Sequence, residues 1–374
     1  MVDPPCVVSR VTNLSAAAIA AFFLVACSSR SEGSSALHDV FGNITMEPVA
    51  AKKAEFDERF SVFSLAFSPD GTHIATSSPN SKEVHIWTWQ SNSQLIETLH
   101  QGEGGGGSIN GLRYSPDGTF LASAHGADQQ DRILRIWSAK TGAVVGDVAE
   151  RFGGAGTLGY AALEFSPDGQ FLIRSQRGWH MEGQGKVQEQ VFVDSFIVYD
   201  TATWQRVWAL KTEPVSPSAL AVSRNGRYAA IAGDERLERN GAPFLQSKVL
   251  IVDLGQRQLK QSVNIPSDYM NFVAWSSDGR RIVVGGNALE ILDANAGTQL
   301  LVQPTTAGIV GVTYSPDGKY LVVGETDGVG IWDSGHTKLL QRISGKLVTA
   351  VTISRDGRYL AIARDHNVGI WEVK

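Results

Sequence analysis

Residues 309–333, IVGVTYSPDGKYLVVGETDGVGIWD, decide the fold of this chain. Ser315-Pro316-Asp317-Gly318 is a turn sequence, because Pro presets φ, Asp bonds nearby backbone groups and Gly accepts a positive φ. The flanking runs, 310–314 and 320–323, are β-branched and aromatic with little polar alternation. This pattern predicts two antiparallel strands that are covered by protein on both faces. A short connection and a third strand, ending at Trp332-Asp333, complete the unit.

The unit recurs along the chain, which indicates a repeat architecture. Successive turn glycines are 39 to 57 residues apart, so the bare unit has 39 residues and the longer ones carry insertions. Four of the seven turns read Ser-Pro-Asp-Gly, and the other three keep a turn-forming residue before the glycine. The turn glycines are Gly71, Gly118, Gly169, Gly226, Gly279, Gly318 and Gly357. The three variant turns are Ser223-Arg224-Asn225-Gly226, Ser276-Ser277-Asp278-Gly279 and Ser354-Arg355-Asp356-Gly357.

A fourth apolar run follows the third strand in six repeats. These runs are Gln94 to Leu99, Ala143 to Ala149, Arg206 to Lys211, Gln258 to Asn264, Gln299 to Gln303 and Lys338 to Ile343. The seventh repeat stops just after its third strand, which would leave an open sheet edge. The segment around Pro48 to Phe56 precedes the first repeat and has no turn of its own. We therefore predict an all-β, seven-bladed β-propeller of four-stranded antiparallel blades, with the ring closed by this N-terminal strand.

The ends of the third strands point to a family. They read Trp87-Thr88, Trp137-Ser138, Tyr199-Asp200, Val252-Asp253, Leu292-Asp293, Trp332-Asp333 and Trp371-Glu372. With the turns and the spacing, they resemble the WD40-repeat family over about residues 46–374. The Gly-His pair that usually opens a repeat is absent, so the buried His/Ser/Asp/Trp tetrad of the family cannot be carried over. We expect apolar packing to supply most of the blade rigidity. Bacterial propellers of the YVTN, TolB and lactonase-like types resemble this chain in their Ser-Pro-Asp-Gly turns.

The N-terminus is interpreted as a lipoprotein signal peptide, residues 1–26. An apolar run from Leu14 to Val25 is too short to span a bilayer. The following Leu24-Val25-Ala26-Cys27 resembles the lipobox of bacterial lipoproteins, which implies cleavage before Cys27 and lipid attachment to its thiol. The alternative is an ordinary cleaved signal with a chance cysteine. Residues 27–45 are Ser-rich and are expected to form a flexible tether, followed by the propeller at 46–374.

The numbers of cysteines and histidines and the net charge limit the kinds of site that the chain can form. The chain has two cysteines, Cys6 and Cys27, so no disulfide or cysteine metal site is expected in the folded part. A formal net charge of −5 does not indicate the basic surface that nucleic-acid binding requires. The eight histidines include no i, i+4 pair, so local metal ligation is unsupported. We expect a monomer with no cofactor, no metal and no catalytic residues.

The long connections gather on one face. In a meander of strands a, b, c and d, the b–c and d–a links lie at the same end, and the longest b–c links are 125–132, 175–191 and 234–248. Elaborated loops on a rigid scaffold commonly bind partners. We predict a partner site centred on the third and fourth repeats. Its residues are Arg177, Trp179, His180, Glu182, Gln184, Glu235, Arg236, Arg239 and Phe244. The alternative is a solvated insertion in which Trp179 and Phe244 pack the loops down.

Two functions of different classes follow. The first is a membrane-anchored, non-catalytic scaffold that binds other proteins of the bacterial cell envelope. Ser28, next to Cys27, favours the outer membrane, and the periplasmic side and the surface both stay open. The second is an envelope hydrolase of the lactonase-like type, with a site assembled in the propeller channel. A ring of acidic and His side chains in the channel would favour the hydrolase, and a Ser- and Ala-lined channel would favour the scaffold.

Overall fold

Seven glycines with positive φ mark the seven hairpin turns of the molecule. The computed structural model describes residues 49–374 except 80, 91, 101–107, 127–131, 151–157, 185–186, 193–195, 213–214, 240–241, 268 and 306. The turn glycines have φ between 69° and 77°, as the sequence predicted, and they are Gly71, Gly118, Gly169, Gly226, Gly279, Gly318 and Gly357. The predicted signal peptide and tether, with Cys27, lie outside the described residues.

The described chain is built from β-strands. In chain order they are β1 (Ala50–Asp57), β2 (Ser64–Phe67), β3 (His73–Ser77), β4 (Glu83–Thr88), β5 (Gln94–His100), β6 (Ser108–Tyr114), β7 (Phe120–Gly126), β8 (Arg132–Ser138), β9 (Val144–Glu150), β10 (Leu158–Phe165), β11 (Phe171–Gln184), β12 (Val187–Phe192), β13 (Phe196–Asp200), β14 (Arg206–Leu210), β15 (Val215–Val222), β16 (Tyr228–Arg239), β17 (Ala242–Asp253), β18 (Gln258–Ile265), β19 (Phe272–Trp275), β20 (Arg281–Gly285), β21 (Ala288–Asp293), β22 (Gln299–Pro304), β23 (Ile309–Tyr314), β24 (Tyr320–Glu325), β25 (Gly328–Asp333), β26 (Leu339–Ser344), β27 (Val348–Ile353), β28 (Tyr359–Arg364) and β29 (Asn367–Val373). None of the described residues forms a helix long and apolar enough to cross a membrane.

These strands form seven antiparallel sheets, which are the predicted blades. Blades 1 and 2 are β2 to β5 and β6 to β9, and blade 3 is β10, β11, β13 and β14, with β12 added beside β11. Blades 4, 5 and 6 are β15 to β18, β19 to β22 and β23 to β26. Blade 7 has the order β1-β29-β28-β27, so the N-terminal strand supplies its fourth strand. The predicted ring closure is confirmed.

The first strand of each blade lines the centre of the ring. Each of these strands contacts the first strand of the next blade, and β27 of blade 7 contacts β2 of blade 1. The middle strands are buried on both faces, as the apolar runs predicted, and β24 and β28 each bury four consecutive residues. Apolar clusters fill the gaps between neighbouring blades, such as Leu172 of blade 3 with Ala122 of blade 2. Stability therefore comes mainly from blade-on-blade packing.

Each turn is stabilised by hydrogen bonds of its serine and of the aspartate two residues later, which is Asn225 in blade 4. In blade 2, the Gly118 N–H donates to the Ser115 carbonyl at 2.9 Å. The Ser115 hydroxyl donates to Asp117 at 2.5 Å and accepts the Phe120 N–H at 2.9 Å. The Asp117 carboxylate also accepts the Thr119 N–H at 3.0 Å. The hydrogen bond from Ser115 is the main cause that lowers the pKa of Asp117, so the turn of blade 2 favours the ionised carboxylate.

Blade 1 contains a buried polar network in addition to its apolar packing. Glu58, just before β2, accepts hydrogen bonds from the Trp87 indole at 2.6 Å and from the Thr76 hydroxyl. Its second carboxylate oxygen lies 2.7 Å from Nδ1 of His85. In blade 2, the indole of Trp137 donates to a serine hydroxyl on β7 at 2.9 Å. Buried hydrogen bonds therefore supplement apolar packing in blades 1 and 2.

Candidate functional site

The propeller has two unlike faces. The Ser-x-x-Gly turns and the connections into the fourth strands lie on one face, which we call the turn face. The b–c connections and the links between blades lie on the other, which we call the loop face. The path of an antiparallel meander dictates this separation.

The longest described hairpin belongs to blade 4 and rises from the loop face. Strands β16 and β17 have 12 residues each and pair as far as Arg239 opposite Ala242. The neighbouring strands end earlier. The last residue of β16 that pairs with β15 is Glu235, and the outermost residue of β17 that pairs with β18 is Ser247. The four outermost pairs of the hairpin, roughly 13 Å at ordinary strand rise, therefore stand beyond the sheet. The sequence interpretation of 234–248 as a loop is wrong, since this segment is a two-stranded β-ribbon.

Blade 3 carries a similar ribbon on the same face. The backbone of β11 continues past its last pair with β13, at Ser175, and then pairs with β12 from Trp179 to Gln184. The insertion at 175–191 is therefore also a β-ribbon and not an irregular loop. The side chains of the predicted contact residues on it lie outside the described part of the structure, and these residues are Arg177, Trp179, His180, Glu182 and Gln184.

The predicted contact residues of blade 4 take different environments. Glu235 is buried and forms an ion pair with Lys248 at the base of the ribbon. Arg236 is exposed one step further out, and Phe244 is half-buried opposite Leu237. The side chain of Arg239, at the tip, is outside the described part. The assignment of all these residues to a partner site stays a prediction.

Three exposed apolar side chains on the loop face were missed by the sequence interpretation. Phe63, Tyr269 and Leu347 immediately precede or lead into the first strands of blades 1, 5 and 7, and they are 48%, 54% and 66% exposed. Leu347 and Tyr269 have φ of 58° and 60°, an unfavourable conformation for bulky residues. Asp365 links Leu347 to Val62, the residue before Phe63: its N–H donates to the Leu347 carbonyl at 3.0 Å, and its carbonyl accepts the Val62 N–H at 2.8 Å. Exposed large side chains held in strained backbone are a recognised feature of binding sites.

The channel opens at the turn face into a cavity of about 610 Å³. Its wall is formed by small and apolar residues of the first strands, such as Ala221, Ala274 and Thr313. The acidic residue in this lining is Glu164, which accepts a hydrogen bond from Nε of Arg113 at 3.0 Å. No histidine lines the described cavity, and no group of three His, Cys, Asp or Glu that could hold a metal occurs among the described residues. The acidic and His ring that would favour a hydrolase is thus not found in the described lining.

Comparison with known proteins identifies the repeats. A family model described as WD domain, G-beta repeat (WD40) matches residues 53–88, 93–138 and 336–372. SEC12-like protein 2 of Arabidopsis thaliana is 25% identical over 205 residues, which cover 53% of this chain and 42% of that protein. An uncharacterized WD repeat-containing protein of Synechocystis is 28% identical over 138 residues, which cover 36% of each chain. The periodic tryptophan protein 2 homolog of Neurospora crassa is 36% identical over 81 residues, or 22% of this chain and 8% of that protein. The chain spans less than half the length of these relatives.

Proposed function

We propose, from the premise that this chain is a WD40-repeat β-propeller, that it is a membrane-anchored scaffold which binds other proteins of the cell envelope. WD40 propellers are in general platforms for protein interactions. The observation that carries the proposal is the asymmetry of the loop face, where two β-ribbons rise from neighbouring blades 3 and 4. Compact turns of nearly constant sequence cover the opposite face.

The chemistry of the loop face supports a protein partner. The ribbon of blade 4 offers backbone hydrogen-bonding groups beyond its neighbouring strands, and an extended partner segment can pair with such an edge. Arg236 adds an exposed guanidinium on this ribbon, and arginine is enriched at the centres of interfaces. Phe63 and Leu347 add exposed apolar surface on the same face. Phe63 and Leu347 lead into blades 1 and 7, across the ring from the ribbon of blade 4. The loop face as a whole therefore suits a partner that presents an apolar contact on one side and an acidic contact on the other.

Shortening the ribbon of blade 4 tests this proposal. Arg236 and Leu245 are directly paired, so residues 237–244 can be replaced by Asn-Gly, which closes a two-residue hairpin turn between them. We expect this variant, and the double variant Phe63→Asp/Leu347→Asp, to capture wild-type partners at least tenfold less well. The measurement is quantitative affinity capture after crosslinking in detergent extracts of the source cells.

The matched control is Leu300→Asp. Leu300 is 53% exposed on the outer strand of blade 5, away from the loop face, so the same substitution changes charge and apolar exposure without touching the proposed site. Its partner set should equal that of the wild type. The scaffold proposal is wrong if the shortened and double variants fold normally and retain the full wild-type partner set.

The anchor is proposed separately, from the lipobox-like Leu24-Val25-Ala26-Cys27. Cys27→Ala removes the thiol that would carry the lipid, and we expect the protein to move from the membrane fraction to the soluble fraction. A single acyl chain holds a protein only weakly, so two or more chains on Cys27 are required for stable attachment. Mass spectrometry of the N-terminal peptide measures the modification directly. Retention of the Cys27→Ala variant in membranes would show that another segment anchors the chain.

A further inference from the structure

The second residue of each hairpin turn stands at the mouth of the channel on the turn face. In four blades it is proline, and its ring lies beside the turn glycine of the next blade. A Cβ placed on Gly118 would lie 3.6 Å from Pro69, and one on Gly357 would lie 3.3 Å from Pro316. The turns therefore interlock around the mouth, with each proline covering the glycine that follows it.

Three turns lack the proline. Ser277 of blade 5 still lies against the turn glycine of the next blade, whereas the turns of blades 4 and 7 carry arginine at the second position. No atom lies within 4 Å of a Cβ placed on Gly279, so the side chain of Arg224 does not occupy the proline's position. Nη1 of Arg224 instead donates to the carbonyl of Pro316. The arginine side chain therefore extends from blade 4 past blade 5 to blade 6. Arg355 makes the equivalent reach from blade 7 to blade 2, and its Nη1 donates to the Pro116 carbonyl at 2.8 Å. Both guanidinium groups thus cross part of the channel mouth.

These two cations have no carboxylate partner among the described residues, whereas Arg113, deeper in the wall, is paired with Glu164. The acidic residues of the turns do not line the cavity. They are Asp70, Asp117, Asp168, Asp278, Asp317 and Asp356, and where their bonds are described their carboxylates accept hydrogen bonds from their own turn. The mouth therefore holds two unneutralised positive charges in a chain whose formal net charge is −5.

We propose that the channel mouth on the turn face binds a small organic anion, through a carboxylate or phosphate group held by Arg224 and Arg355. A guanidinium has five donors in a planar fork that matches an oxyanion, and each of these groups uses one of them in a described bond. The cavity of about 610 Å³ has the size of an ordinary ligand pocket. Its Ala, Thr and apolar lining suits the uncharged body of such a ligand. This site lies on the face opposite the proposed protein-binding ribbons and does not depend on them.

The test measures anion binding to the full-length protein in detergent by isothermal titration calorimetry. The probes are citrate, glycerol 3-phosphate and inorganic phosphate, with glycerol as the uncharged control. We expect at least one anion to bind, glycerol not to bind, and the double variant Arg224→Gln/Arg355→Gln to weaken the binding at least tenfold. The better probe identifies the preferred group, carboxylate or phosphate. Binding should also weaken as sodium chloride rises from about 50 to 500 mM, because the contact is electrostatic.

The matched control is Arg280→Gln, which removes an arginine from the turn face outside the cavity lining and should leave affinity within twofold of wild type. If the double variant fails to fold, the single variants Arg224→Gln and Arg355→Gln replace it, each with an expected loss of at least threefold. A purely structural role predicts a lower melting temperature with unchanged anion affinity, and that result would overturn the proposal. Absence of binding by all three anions at 10 mM to the wild-type protein would overturn it as well.

Discussion

Deleting residues 50–57 is expected to leave a propeller that no longer unfolds in one cooperative thermal transition, because β1 is the strand that closes the ring. It pairs with β29 over Ala50 to Asp57. It also binds blade 6, where the Gln341 amide donates to the Ala50 carbonyl at 2.8 Å and its oxygen accepts the Ala50 N–H at 2.7 Å. Without β1, blade 7 has an open edge and loses the contacts that β1 itself makes with blades 6 and 1. The measurement is thermal unfolding followed by circular dichroism.

A point variant keeps this prediction testable if the deletion prevents folding. Phe56, at the end of β1, is 6% exposed and stacks on Trp87 of blade 1 with ring centroids 4.4 Å apart. Phe56→Ala is expected to cost about 3 to 5 kcal/mol of unfolding free energy, since it removes a buried aromatic ring and leaves a cavity. Lys53→Ala on the same strand removes an exposed ion pair with Glu372 and should have little effect on stability. Equal effects of the two substitutions would show that β1 does not close the ring by packing.

The fold could be predicted from the sequence because its signals are local and repeated. A turn that requires a glycine with positive φ has a recognisable sequence. The pattern seen at Ser315 to Gly318 recurs, with some substitutions, in all seven blades. The position of β1 followed from topology, since a three-stranded last blade required a partner and the segment before the first turn was available. The predicted strand, around Pro48 to Phe56, overlaps the observed Ala50–Asp57.

The shape of the loop face was predicted less well, although a signal was present. The predicted links at 175–191 and 234–248 are β-ribbons, and the second contains Asn240-Gly241 between the paired residues Arg239 and Ala242. Asn-Gly between two extended segments is a strong signal for a two-residue hairpin turn. The exposed residues Phe63 and Leu347 had no such signal, because an apolar residue before a buried strand has the same pattern whether it faces the core or solvent.

The two arginines at the channel mouth show another limit. In the sequence, Arg224 and Arg355 are substitutions that a turn tolerates. Their consequence depends on a carbonyl 92 residues away for Arg224 and 239 residues away for Arg355. Closure of the ring creates that proximity, so only the assembled structure distinguishes a tolerated turn residue from one that reaches across the channel.

Glu58→Gln is expected to lower the free energy of unfolding by about 3 to 5 kcal/mol, because it breaks a buried charge pair at its centre. The side chain of Glu58 is 0% exposed and that of His85 is 2% exposed. Burial by itself lowers the pKa of His85, but its hydrogen bonds and charge interactions with Glu58 and Glu83 outweigh burial, and the pKa is raised above its ordinary value of 6.5. Glutamine keeps the size of the side chain and removes the charge that raises the pKa of His85. Denaturant unfolding monitored by tryptophan fluorescence measures the change.

The pH dependence separates this charge pair from simple packing. A pKa raised in the folded state stabilises the protein fully below the unfolded value, about 6.5, and this stabilisation disappears as pH rises through the folded value. The stability difference between wild type and Glu58→Gln should therefore be largest near about pH 6 and decrease towards about pH 9. Glu55→Gln is the control, because Glu55 is 45% exposed in a surface pair with Lys52, and it should have little effect at any pH. A difference that stays constant across this range would mean that Glu58 stabilises blade 1 through its bonds to Trp87 and Thr76 and not through a charged His85.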